Sequence, residues 1–228
     1  MTTRTYGQFC GVARALEIVG ERWSLLIVRD LVLGPKRFTE LREGLPKLPP
    51  SLLSARLNEL EQNGIIRRRV LPQLDAAVVY ELTEYGSGLD QIVLDLGLWG
   101  SRSLGTPEPE DVFTLDSAIL SLYTTFQPEL SRGVHVTFEI RYHDRLIVHA
   151  LVDDGALKVA GGAHSGADLV IEPSGQSVKD LLAGQLSAAD ALRSGRVRIQ
   201  GDPAHLALFT RLFRIPAAPE PQEGLALH

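Results

Sequence analysis

Ser51, Ser54, Ala55 and Asn58 lie in a stretch whose leucines, at 53, 57 and 60, recur three to four residues apart. At about 100° per residue, the leucines share one face of a helix and the small and amide side chains lie away from it. Hydroxyls and amides held outward at this spacing can hydrogen-bond the edges of bases in a groove. Arg56 lies to the side of that face, within reach of a phosphate. Three arginines, Arg67, Arg68 and Arg69, follow a few residues later, and Lys36 and Arg37 stand before the stretch. Clustered cations of this kind suit a phosphate backbone.

Local elements must hold these residues in place. Residues 11–20 read as a short helix with Val12, Leu16 and Val19 inward, and residues 21–33 as a second with Trp23, Leu26, Ile27, Leu31 and Val32 as core. Gly34-Pro35 ends it, since proline lacks a donor and restricts the residue before it. A third helix spans residues 38–45, with Phe38, Leu41 and Leu45 inward. Prolines at 46, 49 and 50 then turn the chain into the helix that carries Asn58. Asn63-Gly64 can close that helix with positive φ. The arginines begin a β-ribbon that turns through residues 72–76 and returns to Leu82. Two short helices, a turn and a basic hairpin outline a winged helix-turn-helix. A solvated amphipathic helix beside solubilising arginines would explain either piece alone. The ordered set is more specific.

Residues 83–104 read as one further helix, with Leu89, Ile92, Val93, Leu96 and Trp99 as an apolar stripe. Burial of that stripe in a homodimer would set two recognition helices one DNA turn apart, about 34–36 Å. Packing within the chain is the alternative.

Charge agrees with this division. The net charge is −5, yet residues 34–72 hold eight basic and four acidic side chains. The acidic balance falls in the second half. No apolar run approaches the roughly 18 residues of a membrane span, and Arg14 and Glu17 interrupt any leader-like segment. The expectation is a cytoplasmic protein. The lone Cys10 excludes an intrachain disulfide. A thiol at a helix start can be reactive, whereas Phe9 and Val12 beside it suggest packing.

These residues carry a resemblance. Cys10, Val12-Ala13-Arg14, Trp23, Leu25-Leu26-Ile27, Arg29, Arg37-Phe38, Leu41, Leu52-Leu53-Ser54, Arg56-Leu57, Leu60-Glu61, Gly64-Ile65-Ile66, Tyr80, Leu82-Thr83 and Gly86 resemble the HxlR-type winged-helix regulators over about residues 8–104. The resemblance implies a dimeric bacterial transcription regulator, related in fold to MarR-type proteins and expected to act as a repressor on a palindromic operator. Some relatives use the cysteine matching Cys10 to sense oxidants or electrophiles. The chain departs from the pattern twice: Gly11 replaces the usual proline, and Ala76-Ala77 stands where relatives often carry arginine.

Residues 105–111, rich in proline and acid, read as a linker. A helix follows at residues 112–126. Residues 134–142 alternate, with Val134, Val136, Phe138, Ile140 and Tyr142 on one side and His135, Thr137, Glu139 and Arg141 on the other, which predicts a half-buried strand. Strands at 145–152, 156–160, 167–171 and 196–200 complete a sheet, with a turn at Asp153-Asp154-Gly155. Ser177-x-x-Asp180 and Ser187-x-x-Asp190 read as capping boxes, and Asp202-Pro203 as a helix start. Residues 215–228 read as a tail.

The fold class is therefore α+β: a winged helix-turn-helix, then, in residues 112–214, a mostly antiparallel sheet with covering helices. The DDG turn, the Ala167–Ile171 run, Leu181-Leu182-Ala183-Gly184 and the segment from Ser194 to Asp202 resemble the sterol-carrier-protein-like (SCP2-like) fold. That likeness implies an apolar cavity, for which Phe138, Ile140, Val148, Leu206 and Phe209 are candidates, and a hydrophobic small-molecule effector. The histidines at 135, 143, 149, 164 and 205 lack metal-ligand spacing and a partnered nucleophile, and the Gly-rich run at 161–166 opens no helix. No enzyme, metal or cofactor is expected. The expected partners are double-stranded DNA and a second copy of the chain. A lipid carrier or scaffold whose winged helix contacts protein is the alternative function.

Overall fold

Cys10, in extended conformation, leads the chain into helix α1 (Gly11–Val19). The computed structural model describes residues 5–71, 77–143 and 146–217. Ala13 and Val19 are the buried side chains of α1. Val12 and Leu16 are exposed, contrary to the sequence expectation, because the helix meets its core through a different stripe. Trp23 then takes a left-handed conformation (φ 84°), so α2 starts at Ser24, later than expected, and runs to Val32. Ile27, Val28 and Leu31 are buried, Trp23 and Val32 are half-buried, and Leu26 is exposed.

A two-residue strand, β1 (Lys36–Arg37), precedes α3 (Phe38–Gly44) and the thirteen-residue α4 (Pro50–Gln62). Proline at the first turn of α4 costs nothing, since its missing N–H would have no intrahelical partner there. Gly64 closes the helix end with φ +71°. Strand β2 (Ile66–Leu71) and strand β3 (Ala77–Leu82) follow, and the three strands pair antiparallel in the order β1-β3-β2. The turn expected at 72–76 lies outside the described residues. Leu41, Leu45, Leu48, Leu53, Leu57, Leu60, Ile65 and Ile66 close the core with α2.

The single helix expected over 83–104 is two. Thr83 caps α5 (Glu84–Ser87) by accepting the Gly86 N–H at 2.9 Å. Helix α6 then spans Asp90–Ser101. Within α5, the backbone of Gly86 lies against the Ile65 carbonyl. A Cβ there would stand 1.9 Å from that oxygen. Gly86→Ala is expected to force the wing and α5 apart and to cost about 1–3 kcal/mol, read from the denaturant midpoint at unchanged slope.

The chain divides into two units between Asp95 and Leu96. In the second, α7 (Leu115–Thr125) packs on the strands through Ala118, Ile119 and Leu122. A 3-10 turn (Pro128–Ser131) leads to β4 (His135–His143), β5 (Leu146–Asp153), β6 (Ala156–Gly161) and β7 (Leu169–Pro173). Helices α8 (Ser177–Leu182) and α9 (Ala188–Arg193), strand β8 (Val197–Gly201) and helix α10 (Pro203–Leu212) complete it. The sheet order is β6-β5-β4-β7-β8, antiparallel except where β4 and β7 run parallel. Asp154 and Gly155, both at positive φ, make the DDG turn, and Asp154 accepts the Gly133 N–H at 2.8 Å.

Two local expectations need correction. Glu139, placed on the solvent side of β4, is buried, and its carboxylate accepts Arg141 Nε at 2.6 Å and the His164 N–H at 2.5 Å. The segment containing His164 covers that face, so the strand is not half-exposed there. Ser177 is not a cap: Gln176 holds that position, and the Ser177 hydroxyl donates to the carbonyls of Ser174 and Arg196. Ser187 and Asp202 do cap α9 and α10. Among the described residues no helix is long and apolar enough to cross a membrane.

Candidate nucleic-acid interface

Leu53, Leu57 and Leu60 are buried to within about one per cent and anchor α4 on the N-terminal core. That anchoring turns Ser51, Ser54 and Asn58 to solvent and leaves Ala55 half-buried. Ser54 donates to the Pro50 carbonyl at 3.0 Å, a bond within the helix that a base edge could exchange for its own. The second helix of the helix-turn-helix thus carries its polar residues outward, as a groove-reading helix must.

The expected cations are placed unequally. Arg56 is mostly buried and turned to Glu59 and, at 3.6 Å, to Glu21. It braces the helix instead of reaching outward. In β2, the side chains of Arg67 and Arg69 alternate with that of Arg68 across the ribbon. Arg67 Nε and Arg69 Nε donate to the two oxygens of Glu81, at 2.7 and 2.9 Å. Arg68 turns instead to α4 and is held by Glu61. Strand β1 puts Lys36 opposite Tyr80, which also faces Arg68, while Arg37 lies opposite Val79 in the row of Arg69. The Arg37 N–H donates to Glu40 at 2.5 Å, closing the start of α3.

The carboxylates respond to these partners. The hydrogen bonds from Arg68 hold Glu61 below the ordinary carboxylate range. Burial pushes Glu81 up, but the hydrogen bonds and charges of Arg67 and Arg69 together bring it below its usual value. Both stay ionised near neutrality and offset part of the wing's positive charge. Neither was legible as functional from sequence. The signal available was the i, i+3 spacing of Glu61 from Asn58; the register that sets Glu81 opposite Arg67 is seen only in the folded ribbon.

The stripe on α6 separates into two roles. Leu89 and Val93 are partly buried against the N-terminal core, so they serve the fold of their own chain. Ile92, Leu96 and Trp99 are exposed and, at spacings of four and three, share one face. A second set, Val12 and Leu16 on α1 and Phe9 just before it, is exposed. Cys10 is exposed beside it, and backbone N–H groups of Ala13 and Val12 lower its thiol pKa. Among the described residues, Phe9 and Val12 are exposed and do not pack around it.

In the C-terminal unit, Phe138, Ile140, Val148, Leu206 and Phe209 are brought together, each with no exposed surface. They are filled in by one another and by Phe213. The ring of Phe138 lies 5.2 Å from that of Phe209 and 6.1 Å from that of Phe213.

Comparison with known proteins follows the same division. Residues 18–108 match the HxlR-like helix-turn-helix family model, and residues 125–214 match the SCP-2 sterol transfer family. The chain is similar to the HTH-type transcriptional regulator YodB of Bacillus subtilis, with 41% identity over 39% of this chain and 79% of the relative. It is similar also to the uncharacterized HTH-type transcriptional regulator YdeP of the same organism, 38% identical over 41% of this chain and 73% of the relative. The solved reduced form of YodB is 38% identical and covers 46% of this chain and all of its own, with a TM-score of 0.38. The chain belongs to the HxlR-like helix-turn-helix family.

Proposed function

We propose that this protein, a DNA-binding transcriptional regulator, acts as a homodimeric repressor on a two-fold-symmetric operator. The observation that carries the reading is α4 itself. Its leucine face is buried, and Ser51, Ser54 and Asn58 stand outward beside Lys36, Arg37 and the wing arginines. The exposed stripes of α1 and α6 support the homodimer, since apolar side chains aligned on one exposed helix face suit an association surface. Residues 1–104 would then bind DNA and dimerise, and residues 112–214 would receive an effector.

The effector we propose is an apolar small molecule. The SCP-2 match and the all-apolar interior around Phe138 support that class. Because the rings of Phe138, Phe209 and Phe213 occupy that interior, a ligand would enter by displacing them. It would change operator affinity only by its differential affinity for two arrangements of the protein. Cys10, exposed at a helix start, would add a response to electrophiles in this scheme.

The test is binding of the full chain to its own upstream DNA, titrated with salt. Preference over random duplex, falling steeply as salt rises, is the expected result. Arg69→Ala should weaken binding on all sequences alike and lower the salt slope by about one. Absence of preference both there and in a genome-wide selection would sink the reading and favour a carrier or scaffold whose winged helix contacts protein.

A further inference from the structure

Arg68 stands apart from its neighbours on the wing. Arg67 and Arg69 share Glu81 on one face of the ribbon. Arg68, on the other face, folds over the recognition helix. Its Nε donates to both oxygens of Glu61, at 3.0 and 2.9 Å, and its Nη2 donates to Glu61 Oε2 as well. The same Nη2 lies 3.4 Å from Asn58 Oδ1.

This arrangement fixes more than a charge. Arginine has donors and no acceptor, so only the amide oxygen of Asn58 can face it. The amide nitrogen lies on the opposite side of the planar group and is turned away from Arg68. Glu61 follows Asn58 by three positions, nearly one helical turn, so both side chains lie along the side of α4 that Arg68 crosses. A charge-assisted pair of this kind is stronger and more directional than a neutral hydrogen bond. It can therefore hold the weaker Arg68–Asn58 contact in place.

We propose that Glu61 is a specificity-determining positioning residue: through Arg68 it orients Asn58 so that the amide donors face the groove. Asn58 then reads a hydrogen-bond acceptor, namely a purine N7, a guanine O6 or a thymine O4. It does not make the bidentate adenine contact, which also needs the amide oxygen. Glu61 at the same time withdraws Arg68 from the phosphates, exchanging a sequence-blind contact for base discrimination. The inference rests on the DNA-binding reading above.

The experiment compares the full-length protein with Glu61→Gln and with the double variant Glu61→Gln, Arg68→Gln. Each is put through selection from random duplexes and a salt titration on random DNA. The wild type is expected to favour an acceptor-bearing base at one position of each half-site. Glu61→Gln should lose that preference, by about tenfold at that position alone. It should also bind random DNA more tightly, with a salt slope steeper by about one, because Arg68 is released to a phosphate. In the double variant the slope should return to the wild-type value while the preference stays lost. A merely structural role for Glu61 would lower affinity on every sequence without steepening the slope. That result, or an unchanged preference in Glu61→Gln, overturns the inference while leaving the regulator reading intact. A wild type that selects no sequence at all overturns both.

Discussion

A chain carrying Leu96→Glu and Trp99→Glu is expected to run as a monomer and to bind its operator about 10²–10⁴-fold more weakly than wild type. Trp99 is 69% exposed in the single chain, and Ile92 and Leu96 extend the same face of α6. Ile92 and Leu96 each keep about half of their surface exposed, at 55% and 48%. A two-fold interface would use each of them twice, which is how a short stripe gains enough area. Two carboxylates there cannot be buried without partners, so association fails before the fold does. The loss in DNA binding follows because the second half-site becomes a separate bimolecular event. Sedimentation of the variant alongside an operator titration checks both halves of the claim. A variant that stays dimeric would remove α6 from the interface and leave the α1 stripe as the candidate. Val93, by contrast, packs on the N-terminal core, so truncating it should lower stability and leave the oligomer unchanged.

The largest expected effect on stability lies in the other unit. Phe209→Ala should cost about 3–5 kcal/mol, from the lost transfer energy of the ring and the cavity it leaves. Phe209 has no exposed surface, and its ring centroid is 5.2 Å from that of Phe138 and 4.9 Å from that of Phe213. Three rings at such distances contribute beyond the area they bury. The rigid neighbours, Phe138 on a central strand and Leu206 on the same helix, cannot collapse far into the gap. Urea denaturation of the full chain, followed through the C-terminal transition, gives the value. A loss under about 1 kcal/mol would mean that the aromatic cluster is loosely packed. The exposed Leu130 supplies a control, since truncation there should change stability by no more than about 0.5 kcal/mol.

Much of this architecture could be read from the chain, for identifiable reasons. Leu53, Leu57 and Leu60 specify the buried face of α4 because a single helix on a single core leaves one solution. The alternation in residues 134–142 fixed which residues of β4 face the aromatic core. Both family resemblances lie on such regular stretches, and both are matched by family models. Failures came where a residue had two physically acceptable partners. Val12 and Leu16 have helical spacing but face away from the core, and periodicity alone cannot say which apolar face a helix buries. Ser177 fits a capping box, yet two carbonyls, one of them from the residue before β8, claimed its hydroxyl. Glu139 looked exposed because nothing in its strand shows that the His164 segment folds over it. The wing arginines were legible as charge. Their division between Glu61 and Glu81 was not, since it depends on side-chain direction across a ribbon whose register no local signal fixes.

The parallel pairing of β4 with β7 has a bearing on how the chain is made. Strands β4, β5 and β6 follow one another closely in sequence and can zip together as soon as they leave the ribosome. Phe138 must wait for Leu169, and Ile140 for Ile171, before the other side of β4 is hydrogen-bonded. Until then, the strand at the centre of the finished sheet is an unprotected edge, rich in β-branched and aromatic residues. Synthesis from the end of β4 to the end of β7 at Pro173 is thus the interval in which nascent copies can pair with one another. Slow translation or crowded polysomes would lengthen it, and chaperones that cover exposed strands would act on this protein then.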